Sequence, residues 1–335
     1  MRVHLKVKRY DPAAGDQSAR YDDYTLDVLE YATVLDSLLE VHDYQDGSLA
    51  LRYSCRSASC GSCAMRIDNK ARLACKTKVV DLVQEEGQEI LVAPLGNMPV
   101  IKDLVTDMEV YWSKVRQVTP WLQPSGAEPE REYLVANEAM RDLARTMNCI
   151  HCGACVSDCT VLEVDTKFIG PAALAKAYRF VGDPRESRDP AEGVQKQRLE
   201  YLSNTAGGIW DCTRCNMCVE VCPKDVRPMD RIMQLREITV ESGVRSGIGY
   251  RHTQAFAGSV RRLGRLDEAR MLPDSVGIYN VPRLLSELPG ALRMFRAGKL
   301  PWSHALPWHK PIPGIKHVRH IFDTVRRAQK GKASQ

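Results

Sequence analysis

Twelve cysteines in a chain of 335 residues, gathered into three runs, constrain this sequence more than any other feature. Cys55, Cys60, Cys63 and the more distant Cys75 read C-x4-C-x2-C-x11-C. The other two runs share one pattern, C-x2-C-x2-C-x3-C, at Cys149, Cys152, Cys155, Cys159 and at Cys212, Cys215, Cys218, Cys222, the last followed by Pro223. The first spacing is that of a plant-type 2Fe–2S cluster and the repeated one that of two-cluster ferredoxins. In the first run Ser57, Ala58, Ser59, Gly61 and Ser62 are small enough to leave backbone N–H groups free to point at sulfur, which stabilises the reduced cluster. A zinc knuckle or plain buried thiols is the alternative, but zinc sites typically use two C-x2-C pairs. Two-cluster ferredoxins cross their fourth ligands between runs. Carried over, that rule gives Cys149, Cys152, Cys155 and Cys222 to a second cluster, and Cys212, Cys215, Cys218 and Cys159 to a third. The expected cofactors are one 2Fe–2S and two 4Fe–4S clusters, the third being 3Fe–4S if Cys215 is not a ligand.

The composition supports this reading. Apolar residues make up 44% of the chain, enough for ordinary cores without disulfide staples. The N-terminal MRVHLKVKRY lacks the apolar stretch of a secretory signal, and no window approaches the length of a membrane-spanning helix. The expectation is a cytosolic protein, or one peripheral to the cytoplasmic side of a membrane, where disulfides do not persist. A formal net charge of +5 is too small to make nucleic acid the main partner.

Periodicity predicts an α+β chain in three parts. Residues 1–105 read as a β-grasp ferredoxin domain: strands at Val3–Val7, Tyr24–Val28, Met65–Ile67, Val79–Val83 and Glu89–Val92, and a helix over Thr33–His42. Residues 106–242 read as an all-helical domain for two cubane clusters. Its helices are one capped by Asn137, one opened by Pro171 and ended by Gly182-Asp183-Pro184, and one opened by Pro228. Residues 243–335 read as a helical or extended C-terminal extension. Pro301, Pro307, Pro311 and Pro313 suggest an extended strap there.

No other catalytic machinery is evident: no G-x-G-x-x-G, nucleophile elbow or H-E-x-x-H. Gly207-Gly208 reads as a turn, not a phosphate loop. A chain that carries electrons and owns neither donor nor acceptor has to sit between partners.

Further residues resemble the iron–sulfur subunit of succinate dehydrogenase and fumarate reductase. They are Cys55-Arg56 and Ser59-Cys60-Gly61-Ser62-Cys63-Ala64-Met65, Leu73-Ala74-Cys75, Pro94-Leu95, Val100-Ile101-Lys102-Asp103-Leu104-Val105, Pro120-Trp121-Leu122, Lys167-Phe168-Ile169-Gly170-Pro171-Ala172 and Ala177-Tyr178-Arg179-Phe180. The resemblance covers about residues 1–240. It implies an FAD-containing flavoprotein partner that oxidises succinate or reduces fumarate, a membrane anchor, an indirect link to quinone, and a relay from flavin through the first, second and third clusters. The usual member has no cysteine at the position of Cys215, so a full 4Fe–4S third cluster is expected here. The family's quinone pocket uses a proline, a tryptophan and a histidine where this chain has Thr160, Val164 and Thr213.

The tail is similar to the small iron–sulfur subunit of heterodisulfide reductases at Arg251-His252, Ala255-Phe256, Gly264-Arg265-Leu266, Glu268 and Gly298-Lys299-Leu300. That resemblance implies docking to a subunit with CCG motifs. The alternative function is the same relay in a thiol-linked fumarate reductase or heterodisulfide-reductase-type enzyme. Among the remaining residues, Arg326, Arg327, Lys330 and Lys332 form either a lipid-binding patch or a solvated tail. Trp302 and Trp308 read as interface anchors or as a helix cover. His252, His304, His309, His317 and His320 read as surface or partner contacts, and Met147, Met217 and Met233 as core fillers.

Overall fold

The computed structural model describes all residues except 16–18, 86, 190, 278, 300–309 and 334–335; of residue 269 and residues 329–333 it describes the backbone alone. The chain divides into two compact units, Met1–Val244 and Arg245–Gln335.

The first unit opens with a five-stranded mixed sheet in the order β2-β1-β5-β3-β4, from β1 Arg2–Arg9, β2 Arg20–Asp27, β3 Ala64–Ile67, β4 Lys70–Leu73 and β5 Glu89–Ala93. β1 and β5 run parallel and the other neighbours antiparallel. Strand alternation places Val3, Leu5 and Val7 fully inside. Helix α1, Val34–Glu40, covers that face with Val34, Leu35 and Leu38. It starts at a capping box in which Thr33 and Asp36 satisfy each other's backbone N–H.

One expectation for the sheet differs. Val79–Val83 is not a strand: Val79–Asp81 is a 3-10 turn, preceded by an isolated bridge between Lys78 and Thr33, the cap of α1. The strand of that part of the sheet is β4. It is reached through Asp68-Asn69, both with left-handed φ (49° and 62°), the backbone of a tight hairpin turn.

Helices follow: α2 Glu109–Gln117, α3 Asn137–Met147, α4 Ala154–Ser157, α5 Thr160–Val164, α6 Pro171–Val181, α7 Val194–Asn204, α8 Met217–Glu220 and α9 Pro228–Glu241. Pro171 and Pro228 occupy first turns, where no N–H is needed. Asn137 is the first helical residue and not the cap, a place held by Ala136. Sheet and helices share one hydrophobic core that runs from Val3 to Val244, so residues 1–105 and 106–242 are not separately packed. Polar ties cross the join as well: Asp158 accepts from Ala71 N–H at 2.8 Å, and Gly96 N–H donates to Ser157 Oγ at 2.9 Å. Met147 is no core filler; it is half exposed, whereas Met233 packs on the core.

The second unit contains α10 Ile248–Leu263, α11 Glu268–Val276, α12 Val281–Arg296 and a last helix, Ile315–Ala333. Outside the stretch of the expected strap, the described part of the extension is largely helical. Pro273 and Pro289 lie inside helices. Pro311 lies in the non-helical stretch ahead of the last helix. Leu300, Pro301, Trp302, His304, Pro307, Trp308 and His309 lie outside the described residues, as do the side chains of Lys330 and Lys332. His252 bonds Ser275 Oγ at 3.0 Å; it, His317 and His320 are exposed. Among the described residues no helix is long and apolar enough to cross a membrane.

Candidate iron–sulfur centres

The loop around the first cysteine run is shaped by backbone that side chains rarely adopt: Arg56, Ala58 and Gly61 all have φ between 54° and 77°. These turns aim amide groups at sulfur. Ser57, Ser59 and Cys60 N–H groups point to Cys55 Sγ at 3.3–3.4 Å, Ala58 N–H to Cys75 Sγ at 3.3 Å, and Cys55 N–H to Cys60 Sγ at 3.5 Å. The Ser57, Ser59 and Cys60 donors hold the Cys55 thiol well below its usual range. Cys63 is buried, and burial pushes it up. An anionic sulfur-rich group fits such a cradle, since its charge meets ready-made donors.

The second and third runs repeat one local structure. In each, the residue before the second cysteine and the residue after it are left-handed: His151 and Gly153, then Arg214 and Asn216. A short helix follows each turn, α4 and α8 respectively. Cys149, Cys152, Cys155 and Cys222 line one apolar cavity together with Tyr111 and Pro223. Burial raises Cys152 to about 11 and Cys155 well above the ordinary value, and the neighbouring thiols add to both shifts. Cys159, Cys212, Cys215 and Cys218 form the other group. Burial raises Cys218 to about 12, with Cys212, Cys159 and Cys215 as its charged neighbours.

Cys215 is exposed, and unlike Cys159 and Cys218, which burial raises, its pKa is lowered. Partial burial pushes it up. The Thr160 hydroxyl, the Met217 N–H, the Thr213 hydroxyl and the Thr160 N–H together outweigh that. Among the described residues no three His, Cys, Asp or Glu side chains are grouped to hold a single metal ion. One zinc needs four ligands at about 2.0–2.3 Å, whereas a cubane spreads its thiolates over several irons.

The first two centres adjoin. A Cβ on Gly61 would lie 2.8 Å from Cys152 Cβ and 3.1 Å from the Ile150 carbonyl, so only glycine permits this approach. His151 sits at the same place, its Nδ1 2.8 Å from Tyr111 Oη and its ring 5.2 Å from Trp112.

Several residues here escaped the reading of the sequence. Asn97 donates its amide to the Val156, Ser157 and Cys159 carbonyls and so holds the segment before the third centre. Arg236 reaches the Cys212 and Ile209 carbonyls, both at 2.8 Å, and lies 5.1 Å over the Trp210 ring. No local pattern marks either one, because their partners are distant in sequence.

A family model described as a 2Fe-2S iron-sulfur cluster binding domain matches residues 4–113, and one described as a 4Fe-4S dicluster domain matches residues 145–226. The chain is 32% identical to the 8-methylmenaquinol:fumarate reductase iron-sulfur subunit of Wolinella succinogenes, over 92% of this chain and 94% of that one. This chain belongs to the family of succinate dehydrogenase and fumarate reductase iron–sulfur subunits. The fumarate reductase iron-sulfur subunit of Mycobacterium tuberculosis is 33% identical, covering 70% of this chain and 92% of its own length. A chain of the CoM/CoB fumarate reductase of Methanothermobacter marburgensis is 31% identical over 72% of this chain and 45% of that one. A chain of the Mycobacterium smegmatis Sdh1 complex, in the apo form, superposes with a TM-score of 0.63 at 27% identity, over 72% of this chain and 97% of that one. As an iron–sulfur subunit of this family, the protein is the electron-transfer component of an oxidoreductase complex, with a 2Fe–2S domain and a 4Fe–4S dicluster domain.

Proposed function

We propose that this subunit carries electrons between an FAD-containing succinate- or fumarate-active flavoprotein and a quinone-linked partner, with Cys215 completing a 4Fe–4S third cluster. Cys55, Cys60, Cys63 and Cys75 hold the 2Fe–2S cluster; Cys149, Cys152, Cys155 and Cys222 hold the second; Cys159, Cys212, Cys215 and Cys218 hold the third. When bound, these clusters supply one-electron chemistry. The chain's own residues gather the thiolates, aim N–H donors at them and exclude water from the second site. The observation that carries the reading of the third cluster is Cys215 itself, an ionisable thiol beside Cys212, Cys218 and Cys159, held by a Thr160 hydroxyl at 3.4 Å.

The similarity to the Wolinella succinogenes subunit extends over 92% of the chain, whereas the other relatives above cover 70–72%. That difference favours a C-terminal unit specific to this class, and a quinol-linked over a thiol-linked partner. In the second unit, Val281, Leu285, Leu288 and Leu292 lie exposed at helical spacing on α12, an apolar stripe suited to docking. Arg326 and Arg327 are exposed on the last helix, which suits peripheral association at an anionic membrane surface or a CCG-type anchor.

Low-temperature EPR of the anaerobically purified complex tests the third site. Oxidised protein should be silent, and three clusters should appear on stepwise reduction. Cys215→Ala should give a full 3Fe–4S signal in the oxidised state while the other two clusters are unchanged. An oxidised wild type that already shows this signal at full stoichiometry would make Cys215 a bystander.

A further inference from the structure

Thr160 opens α5 directly after Cys159 and donates its hydroxyl to Cys215 Sγ at 3.4 Å. The proline expected of the usual family member at this position could donate neither O–H nor N–H. On the other side, Arg236 is a buried guanidinium whose donors go to the Ile209 and Cys212 carbonyls. Among the described residues no carboxylate forms an ion pair with it; the nearby Asp211 accepts instead from Gly207 N–H. A cation buried without a counter-charge is costly, and the missing charge has to come from close by. The thiolate set beside Cys212 supplies negative charge at that place.

Resting on the reading that Cys215 is a ligand, we propose that Thr160 and Arg236 offset the negative charge that this fourth thiolate adds to the third cluster. Thr160 does so by a hydrogen bond to the Cys215 sulfur, and Arg236 as a fixed counter-charge beside Cys212. Both act as positioning residues. Reduction adds one electron to the cluster and breaks no bond, so each residue favours the reduced form and raises the midpoint potential. A four-thiolate cluster thereby remains an acceptor for the centre before it.

The test is an EPR-monitored titration of the whole complex with dithionite and mediators, comparing wild type, Thr160→Val, Thr160→Ser, Arg236→Gln and Arg236→Lys. At the wild-type midpoint, Thr160→Val and Arg236→Gln should each lower the reduced-to-oxidised ratio of the third cluster several-fold; tenfold corresponds to about 59 mV. Thr160→Ser and Arg236→Lys should restore most of it, with the other two clusters unmoved. Unshifted midpoints in Thr160→Val and Arg236→Gln would overturn the proposal, as would equal shifts of all three clusters, which would mean a merely structural effect. If the valine or glutamine variant does not assemble, the serine and lysine variants still decide: a midpoint far from wild type in both would contradict it. Failure of the ligand reading itself shows separately, as a full 3Fe–4S signal in oxidised wild type before any substitution.

Discussion

Asp183 lies fully buried just past the end of α6, where its carboxylate accepts from Arg185 N, Nε and Nη2 at 2.7–3.0 Å and pairs with Arg179. Burial pushes its pKa up, yet the arginine bonds outweigh it and hold the group at about 2 against an ordinary 3.8. A depressed folded pKa contributes stability that is complete above about pH 4 and is lost as pH falls toward 2. At about 1.4 kcal/mol per unit, the contribution is about 2 kcal/mol. Asp183→Asn should therefore melt lower than wild type at pH 7, by an amount equivalent to about 2 kcal/mol. Thermal unfolding at pH 7 and pH 5 should give the same gap, because both values lie above the window. A gap that has already closed at pH 5 would contradict this account. The sequence marked Asp183 only as part of a helix stop; its charge role depends on Arg179 and Arg185 converging on it.

The elements of the first unit are held together by side chains that cap chain segments from a distance. Asn97, itself left-handed at φ 59°, donates to the Val156, Ser157 and Cys159 carbonyls at 2.8–3.1 Å. Beside it, Gly96 N–H donates to Ser157 Oγ at 2.9 Å. The Val156 and Cys159 carbonyls also accept from the Cys159 and Glu163 N–H groups, whereas the Ser157 carbonyl, at the end of α4, takes the Asn97 amide. Asn97→Ala should take this donor from the Ser157 carbonyl and lower stability by about 1–3 kcal/mol. The readout is the thermal midpoint together with iron content, with the Cys159 centre losing iron first. An unchanged melt would show that water replaces the amide. Arg9 plays a similar part in the sheet. It is buried at the end of β1 and bonds Asp103, Tyr24, Ser48 and Asp46, so that the loop after α1 and the β6–β7 hairpin (Val100–Lys102 with Val105–Thr106) are tied to one guanidinium.

At the scale of the whole molecule, the division after Val244 yields a direct expectation. All the cysteines lie before it, and the core of the first unit is continuous. A chain ended at Val244 should fold and bind about ten irons, the sum of one 2Fe–2S and two 4Fe–4S clusters. If the C-terminal unit docks the partner as proposed, the truncated chain should fail to co-purify with it. Iron analysis and pull-down read the two outcomes separately; loss of iron on truncation would mean that the second unit is needed to assemble the centres.

What the sequence determined by itself was the chemistry, because cysteine spacing is local: C-x4-C-x2-C and C-x2-C-x2-C set which thiols a short loop can converge. The alternation of β1, the helix that starts at Thr33 and the proline-opened helices were equally legible, since each depends on neighbours a few residues away. Contacts between distant segments were not. Val79 alternates like a strand residue but has no full partner strand, so it became a turn. The helices ahead of the expected strap hold Pro273 and Pro289 in their interiors, which proline content alone does not announce. Only the tertiary structure set Gly61 against Cys152, carried the Asn97 amide to Cys159, brought the Thr160 hydroxyl to Cys215 across 55 residues and left Arg236 buried beside Cys212. Spacing along a chain selects a ligand set, but the donors and charges that tune it arrive from elements that meet only when the core closes.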